Sequence, residues 1–136
     1  MTVSSEQELM LTQRANHLVR QARLAAAVFT QYSQEKVDKI VRAMTAAAIE
    51  NAGKLALMAH QETRMGVTED KILKNLVASE FLYHQIKDKR SVGVTREFPD
   101  LNMVEVAEPM GVIFALAPVT NPTSTVIFKS ICCAKT

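Results

Sequence analysis

Between Glu108 and Thr125 the chain reads EPMGVIFALAPVTNPTST. All residues from 110 to 117 are apolar or glycine, and none carries a charge. Such a run is typical of a strand covered on both faces, as in the parallel sheets of α/β proteins. Pro118 ends the run because proline cannot donate to a sheet ladder. With Asn121 as N-cap and Pro122 at the first helical position, the sequence predicts a buried strand, a short loop and a helix start.

The loop between this strand and this helix is where we expect chemistry. Ligands of open α/β sheets bind beyond the carboxyl ends of the strands. The carboxamide of Asn121 has two N–H donors, and a donor held there can stabilise an oxygen that becomes negative during a reaction. On pattern alone the simpler interpretation is that Asn121 only caps the helix, and the two roles compete for the same side chain. The catalytic interpretation requires that Asn121 lie in a cleft and that a strand lead into it.

Helical periodicity fills the chain before residue 91. An apolar stripe at spacings of four and three, from Leu11 to Phe29, predicts one long packed helix. Further helices are expected after Ser33, from Lys54 to Arg64, and from Thr68 onward. The last of these is expected to turn an apolar stripe inward, made of Ile72, Leu73, Leu76, Val77 and Phe81.

The periodicity changes to two after residue 91. Val92 and Val94 alternate with polar residues or glycine, as Val104 and Val106 alternate with acidic residues, and the turn-rich residues 97–100 lie between them. This pattern predicts two strands that form a hairpin-like segment.

Composition excludes several classes of protein. The 136 residues carry 16 basic and 14 acidic side chains, and this net charge of +2 gives no footprint for nucleic acid. The sequence contains no long uncharged apolar run, so no membrane span is predicted. The amino terminus does not resemble a signal peptide. The two cysteines, Cys132 and Cys133, are adjacent and offer no disulfide framework, so we expect a cytoplasmic protein.

Three stretches of the sequence resemble one family. Residues 117–125, which read APVTNPTST, are followed by Phe128-Lys129-Ser130, and upstream stand YSQEKVDKI at 32–40 and MGVTEDK at 65–71. Together they resemble the coenzyme-A-acylating branch of the aldehyde dehydrogenase superfamily. Within that branch the likeness is greatest to the amino-terminal end of the bifunctional aldehyde–alcohol dehydrogenases, and it runs from about Phe29 to Thr136.

The resemblance implies a fold and an activity. The fold is an α/β fold with amino-terminal helices, a two-stranded β segment, and the first strand and helix of a Rossmann-like cofactor domain. It divides the chain into a helical segment (1–90), hairpin-like strands (91–108) and the start of an NAD-binding domain (109–136). The activity is NAD-dependent interconversion of acetaldehyde and acetyl-CoA, with coenzyme A as co-substrate and a homo-oligomeric full-length protein.

The resemblance also gives roles to residues. Asn121 would bind the oxygen of the thiohemiacetal that forms when a cysteine thiolate attacks the aldehyde. The backbone of Ala117, Pro118, Val119 and Thr120 would run beside the nicotinamide. Lys129 would contact the cofactor, although its spacing from Asn121 differs by about one residue from the common pattern of the branch.

Other reactive side chains are expected to be structural. In the family the nucleophilic cysteine lies further along the chain, so Cys132 and Cys133 are expected to pack as small hydrophobic residues, and the chain alone to be inactive. His17, His60 and His84 stand apart on separate helices, so no metal site is predicted.

The sequence ends where the crossover helix should lead to a return strand. A parallel strand needs neighbours, so we expect the chain to be an amino-terminal piece of a longer protein. Two alternatives stay open at this point. One is another acylating dehydrogenase, acting on propanal or succinate semialdehyde, and the other is a non-catalytic helical interaction module.

Overall fold

The computed structural model describes residues 5–135, which divide into two compact units. The first unit contains the residues up to Tyr32 together with Pro109–Ile113, and the second contains Ser33–Glu108 and the residues from Phe114 onward. The three-part division inferred from the sequence stays a prediction. Among the described residues no helix is long and apolar enough to cross a membrane.

The first unit is built on helix α1, Ser5–Phe29. The long helix predicted from the apolar stripe is therefore present. The prediction that its apolar stripe is packed is wrong, because α1 has no buried residue. Leu11 and Leu18 of the stripe are 63% and 56% exposed.

The second unit contains the remaining helices. They are α2 (Gln34–Glu50), α3 (Ala52–Thr63), α4 (Thr68–Leu76), a π-helical turn (Val77–Phe81), α5 (Leu82–Ile86) and α6 (Pro122–Lys135). Helix α2 begins after Ser33, as predicted, and the Ser33 hydroxyl caps it by accepting a hydrogen bond from the Lys36 N–H at 3.3 Å. Helix α3 ends where Arg64 adopts the left-handed conformation, with φ of 56°.

The core of this unit lies where α6 packs against α2, α3 and α4. Ile131 of α6 and Val41 of α2 are almost fully buried, each with 1% of its surface exposed. Small residues of α3 complete the core, namely Ala52, Ala56 and Ala59. These short side chains let the backbones of α3 and α4 approach closely.

The predicted hairpin is confirmed. Strand β1, Gly93–Phe98, pairs antiparallel with β2, Met103–Ala107, and Val94 lies opposite Val106. A 3₁₀ turn, Pro99–Leu101, joins the strands, and Asn102 closes it in the left-handed conformation with φ of 49°.

The predicted strand at residues 110–117 is wrong as a strand. Residues 108–118 have no regular secondary structure, and Met110 and Phe114 are 83% and 86% exposed. Residues form a β-strand only when they are hydrogen-bonded to a neighbouring strand. The only sheet among the described residues is the β1–β2 pair. The apolar run therefore has no neighbour to pair with.

The predicted inner face of α4 is also wrong. Leu73, Val77 and Phe81 are 58%, 51% and 59% exposed. The buried positions of α4 and the π turn are instead Lys71, Asn75, Ala78 and Ser79. The polar side chains among them are buried because each finds a hydrogen-bond partner, which compensates for the loss of water.

An ion pair joins the carboxyl end of α6 to α2. The Lys135 ammonium, only 4% exposed, donates to the Asp38 carboxylate, and Gln34 donates to the same oxygen at 2.9 Å. Burial raises the pKa of Asp38, but hydrogen bonds from Lys135 and Gln34 and the charges of Lys135 and Arg42 outweigh it, so the pKa lies below its ordinary value. The folded protein thus favours the charged carboxylate.

We expect Asp38→Asn to lower the free energy of unfolding at pH 7 by about 2 kcal/mol. The variant leaves a buried ammonium without its counter-charge, a cost reduced here because the Asp38 side chain is 37% exposed. Since folding lowers this pKa, the stabilisation is present above the unfolded pKa and is lost as pH falls through the folded one. Urea unfolding should therefore show the two proteins converging below about pH 4. The exposed Glu62→Gln is the control, and an equal loss at Glu62 would contradict the assignment.

Candidate functional site

The site is built on the turn that leads into α6. Helix α6 begins at Pro122, as predicted, and the Asn121 carbonyl accepts its first hydrogen bond from the Thr125 N–H at 3.2 Å. The Asn121 N–H bonds the Pro118 carbonyl at 3.3 Å and closes the turn. Asn121 therefore occupies the N-cap position through its backbone.

The side chain of Asn121 does not cap the helix. Its Oδ1 accepts a hydrogen bond from Lys74 Nζ at 3.0 Å, and its Nδ2 donates to Thr120 Oγ1 at a long 3.4 Å. The competition between capping and a reactive role is thereby resolved in this structure, since the carboxamide faces α4 and the loop instead of its own helix.

One face of α4 holds the turn in place. Lys71 Nζ donates to the Thr120 carbonyl at 3.0 Å, beside the bond from Lys74 to Asn121. The Thr123 hydroxyl donates to Asn75 Oδ1 at 2.9 Å. Lys71, Lys74 and Asn75 stand at helical spacings of three and four, so they share one face of the helix. We call these three residues the α4 clamp.

Asn75 ties the clamp to the core. Its side chain is fully buried, and Nδ2 donates to the Ala52 carbonyl of α3 at 2.9 Å. The buried Ser79 hydroxyl donates to the Asn75 carbonyl at 2.7 Å, within the π-helical turn. The start of α6 is thus bonded through one carboxamide to both α3 and α4.

Asn121 lies in an open groove of about 400 Å³ between α4 and α6. The groove is lined by Leu73, Lys74, Val77, Ala78, Asn121, Ser124 and Phe128. Leu73 and Val77, two of the apolar residues that were expected in the core, thus line one wall of this groove. Of the two conditions for a reactive Asn121, the cleft is present and the strand is not, so a reactive role rests on the cleft and on the family resemblance.

The predicted cofactor loop lies next to Asn121 in the chain. Ala117, Pro118, Val119 and Thr120 are all exposed, and none of their side chains is charged. Lys129 of α6 donates to the Leu116 carbonyl at 2.7 Å and so holds the approach to this loop. An ammonium has three donors, so this bond leaves Lys129 able to donate to a ligand oxygen as well.

The two cysteines of α6 differ in their surroundings. Cys132 is partly buried and Cys133 is exposed. Burial raises the pKa of the Cys132 thiol, and the neighbouring Cys133 adds to the rise. A raised pKa lowers the fraction of reactive thiolate at neutral pH. Within residues 5–135 there is also no group of three His, Cys, Asp or Glu side chains able to hold a metal ion.

The α4 clamp was not predicted from the sequence. A signal was present, because Lys71 closes the MGVTEDK stretch and Lys74 and Asn75 follow it on the same helical face. The apolar residues between them, from Ile72 to Val77, gave the stronger periodicity and pointed to the opposite face.

Known proteins match this segment closely. No protein-family model matches the chain. The bifunctional aldehyde-alcohol dehydrogenase AdhE of Escherichia coli K12 is 44% identical over 121 residues, which are 89% of this chain and 14% of that protein. The aldehyde-alcohol dehydrogenase of Clostridium acetobutylicum is 46% identical over 108 residues, which are 79% of this chain and 12% of that protein.

A solved structure agrees with these relatives. The crystal structure of an acetylating aldehyde dehydrogenase from Geobacillus thermoglucosidasius matches with a TM-score of 0.91 and 42% identity, covering 93% of this chain and 28% of that one. The predicted fold class is confirmed as a mostly helical, incomplete part of an α/β domain with a two-stranded antiparallel sheet.

The fold and the Asn121 loop belong to the aldehyde dehydrogenase superfamily. Within it, the relatives place the chain in the coenzyme-A-acylating branch, over the amino-terminal part of the aldehyde–alcohol dehydrogenases, which confirms the predicted family. The chain spans only 12% and 14% of the two curated relatives described above.

Proposed function

We propose that this chain is the amino-terminal part of an NAD-dependent, coenzyme-A-acylating acetaldehyde dehydrogenase within a bifunctional aldehyde–alcohol dehydrogenase. Its part in the reaction is to supply an oxyanion donor, Asn121, and one wall of the site that receives the aldehyde. The relatives favour this function over a non-catalytic helical module.

The observation that carries the proposal is the position of one carboxamide. Asn121 lies in the groove between α4 and α6, with its oxygen bonded to Lys74 and its amino group bonded only weakly, at 3.4 Å, to Thr120. An N–H donor with spare capacity is the group that can bind an oxygen as it becomes negative. The apolar side chains of Leu73, Val77 and Phe128 offer a surface for the carbon chain of an aldehyde.

In the proposed chemistry, Asn121 acts at the step in which the aldehyde carbonyl is attacked. When a thiolate adds to the aldehyde carbonyl, a C–S bond forms and the carbonyl oxygen takes the negative charge. Asn121 Nδ2 donates to that oxygen and lowers the energy of the adduct. The thioester that results after oxidation keeps the acyl group bonded to sulfur until coenzyme A takes it, and the same steps in reverse reduce acetyl-CoA.

The exposed loop suits a planar cofactor. Its side chains from Ala117 to Val119 are apolar and solvent-exposed, so a flat ring can lie along the backbone without meeting a charge. NAD, when bound, accepts the hydride that leaves the substrate carbon. We propose that Ala117, Pro118, Val119 and Thr120 border the ring and that Lys129, besides holding Leu116, donates to a cofactor oxygen.

The nucleophile is neither Cys132 nor Cys133 in this proposal. Both lie on α6, and the raised pKa of Cys132 disfavours its thiolate. The full-length protein is proposed to provide the reactive cysteine elsewhere and to assemble as a homo-oligomer.

An assay of the full-length protein tests the proposed function. With acetaldehyde, NAD and coenzyme A, we expect the acetyl-CoA formed to equal the sum of NADH and ethanol, because the alcohol dehydrogenase half reduces acetaldehyde with part of the NADH. NADH formation should stop when coenzyme A is omitted. Propanal and succinate semialdehyde are the comparison substrates and should give lower kcat/KM. The 136-residue chain alone is the matched control and should show no turnover. NADH formation that does not depend on coenzyme A, or a preference for succinate semialdehyde, would contradict the proposal.

A further inference from the structure

Lys74 stands out because its charge has a single described partner. Its side chain is exposed, and its Nζ donates to Asn121 Oδ1 at 3.0 Å. The only ion pair among the described residues joins Lys135 to Asp38, so Lys74 forms no ion pair with a described carboxylate. When an exposed lysine is hydrogen-bonded to a neutral amide, its side chain loses conformational entropy and the fold gains little stability. We therefore look for a functional role of this bond.

The bond decides which way the carboxamide of Asn121 faces. An ammonium has donors and no acceptor, so the end of the amide that faces Lys74 must be the oxygen. The amino group is then the end that bonds Thr120, at 3.4 Å. Without Lys74, the broad and nearly two-fold torsion of an asparagine amide would allow both orientations.

The wrong orientation is harmful for the reaction proposed above. A carboxamide oxygen presented to a developing oxyanion repels it, while the amino group attracts it. The positive charge of the Lys74 ammonium beside the amide oxygen also polarises the amide and makes its N–H groups stronger donors. Lys74 would thus improve the donor twice, through its orientation and through its strength.

From this geometry we infer that Lys74 is a positioning residue for the oxyanion donor: it holds Asn121 with its amino group toward the substrate oxygen. The inference rests on the proposed function of Asn121. Lys71 differs from Lys74, since it is buried and bonds the backbone of Thr120, so it fixes the path of the loop and not the direction of the amide.

The test uses the full-length protein with Lys74→Met, Lys74→Gln and Lys74→Arg. We expect Lys74→Met to lower kcat for acetaldehyde oxidation about tenfold with little change in KM, since the donor acts on the transition state. Lys74→Arg should restore most of kcat, because a guanidinium is also a donor without an acceptor. Lys74→Gln should resemble the methionine variant, because its amide can face Asn121 with either end. Lys54→Met, which removes an exposed lysine from α3, is the charge-matched control and should leave kcat unchanged.

A double-mutant cycle separates positioning from a structural or independent effect. In an Asn121→Ala background, Lys74→Met should change kcat by less than about twofold, because nothing is left to orient. Thermal melting should be nearly the same for all Lys74 variants. Additive losses, a loss that follows a lowered Tm, or a tenfold loss that arginine does not restore would each overturn the inference.

The two proposals can fail separately. If Asn121→Ala lowers kcat strongly and Lys74→Met does not, the positioning role is wrong and the oxyanion donor stands. If Asn121→Ala has no effect, the proposed function of Asn121 is wrong and the role of Lys74 falls with it.

Discussion

Replacing Asn121 by alanine in the full-length protein should lower kcat for acetaldehyde oxidation by about 10²–10³-fold, the usual loss when one oxyanion donor is removed. The alanine variant keeps the backbone N-cap, because that bond is made by the Asn121 carbonyl to Thr125. The side chain makes no capping bond, so little stability should be lost with it. Steady-state kinetics should show kcat and kcat/KM falling together, as expected for an interaction made in the transition state.

Asn121→Asp is the more demanding variant for this prediction. It keeps the size of the side chain and gives Lys74 a charged partner, so the fold should be at least as stable as before. It also replaces the N–H donor with a second acceptor oxygen, which repels the developing charge. We therefore expect it to be as inactive as the alanine variant. An aspartate variant with near-normal kcat would show that Asn121 only shapes the turn, and Asn16→Ala on the exposed face of α1 is the neutral control.

Asn75→Ala should lower the free energy of unfolding by about 2–4 kcal/mol. One buried group, the Ala52 carbonyl, and one partly buried group, the Thr123 hydroxyl, lose their partner at once. Each buried polar group left unsatisfied costs about 1–3 kcal/mol. Because Thr123 stands two residues after Asn121, the variant should also release the start of α6 and lower kcat together with stability. Urea unfolding, followed by circular dichroism, measures the first effect.

Two further variants check the cause of that loss. Thr123→Val removes only the hydroxyl and leaves one acceptor of Asn75 without a donor, so it should cost about half as much. The two substitutions combined should cost less than their sum, because they remove the same hydrogen bond. A loss below about 0.5 kcal/mol for Asn75→Ala, comparable to that of surface substitutions, would contradict the role assigned to this side chain.

Two residues of the α4 clamp, Asn75 and Lys74, are expected to affect different properties when they are replaced. Asn75 is fully buried and bonds three elements, so its removal is felt by the fold. Lys74 is exposed and bonds one side chain, so its removal should be felt by the reaction and not by the fold. The difference in burial thus predicts that Asn75 contributes mainly to stability and Lys74 mainly to the reaction rate.

Local sequence rules predicted the elements that depend on near neighbours. The start of α6 at Pro122, the start of α2 after Ser33 and the β1–β2 hairpin all follow from turn and capping residues within a few positions. The stretch at 117–125 also indicated the family, through its residue order alone. These features need no knowledge of what packs against them.

Rules of periodicity failed where the partner was distant or missing. The apolar run at 110–117 has the composition of a buried strand, but a strand needs a neighbouring strand, and residues 108–118 have none among the described residues. On α4 the apolar face at Leu73 and Val77 looked like the core, yet it faces an open groove. Apolar periodicity identifies a face but does not say whether that face meets the core or a ligand.

The sequence by itself determined the helices, the hairpin, the family and the candidate carboxamide at Asn121, because capping, turn chemistry and residue order are local properties. The tertiary structure alone decided which way that carboxamide faces. Its orientation depends on Lys74, which lies 47 residues earlier in the chain and reaches Asn121 only because α4 and α6 pack together. A hydrogen bond between residues so far apart in sequence forms only after the core has brought their helices into contact.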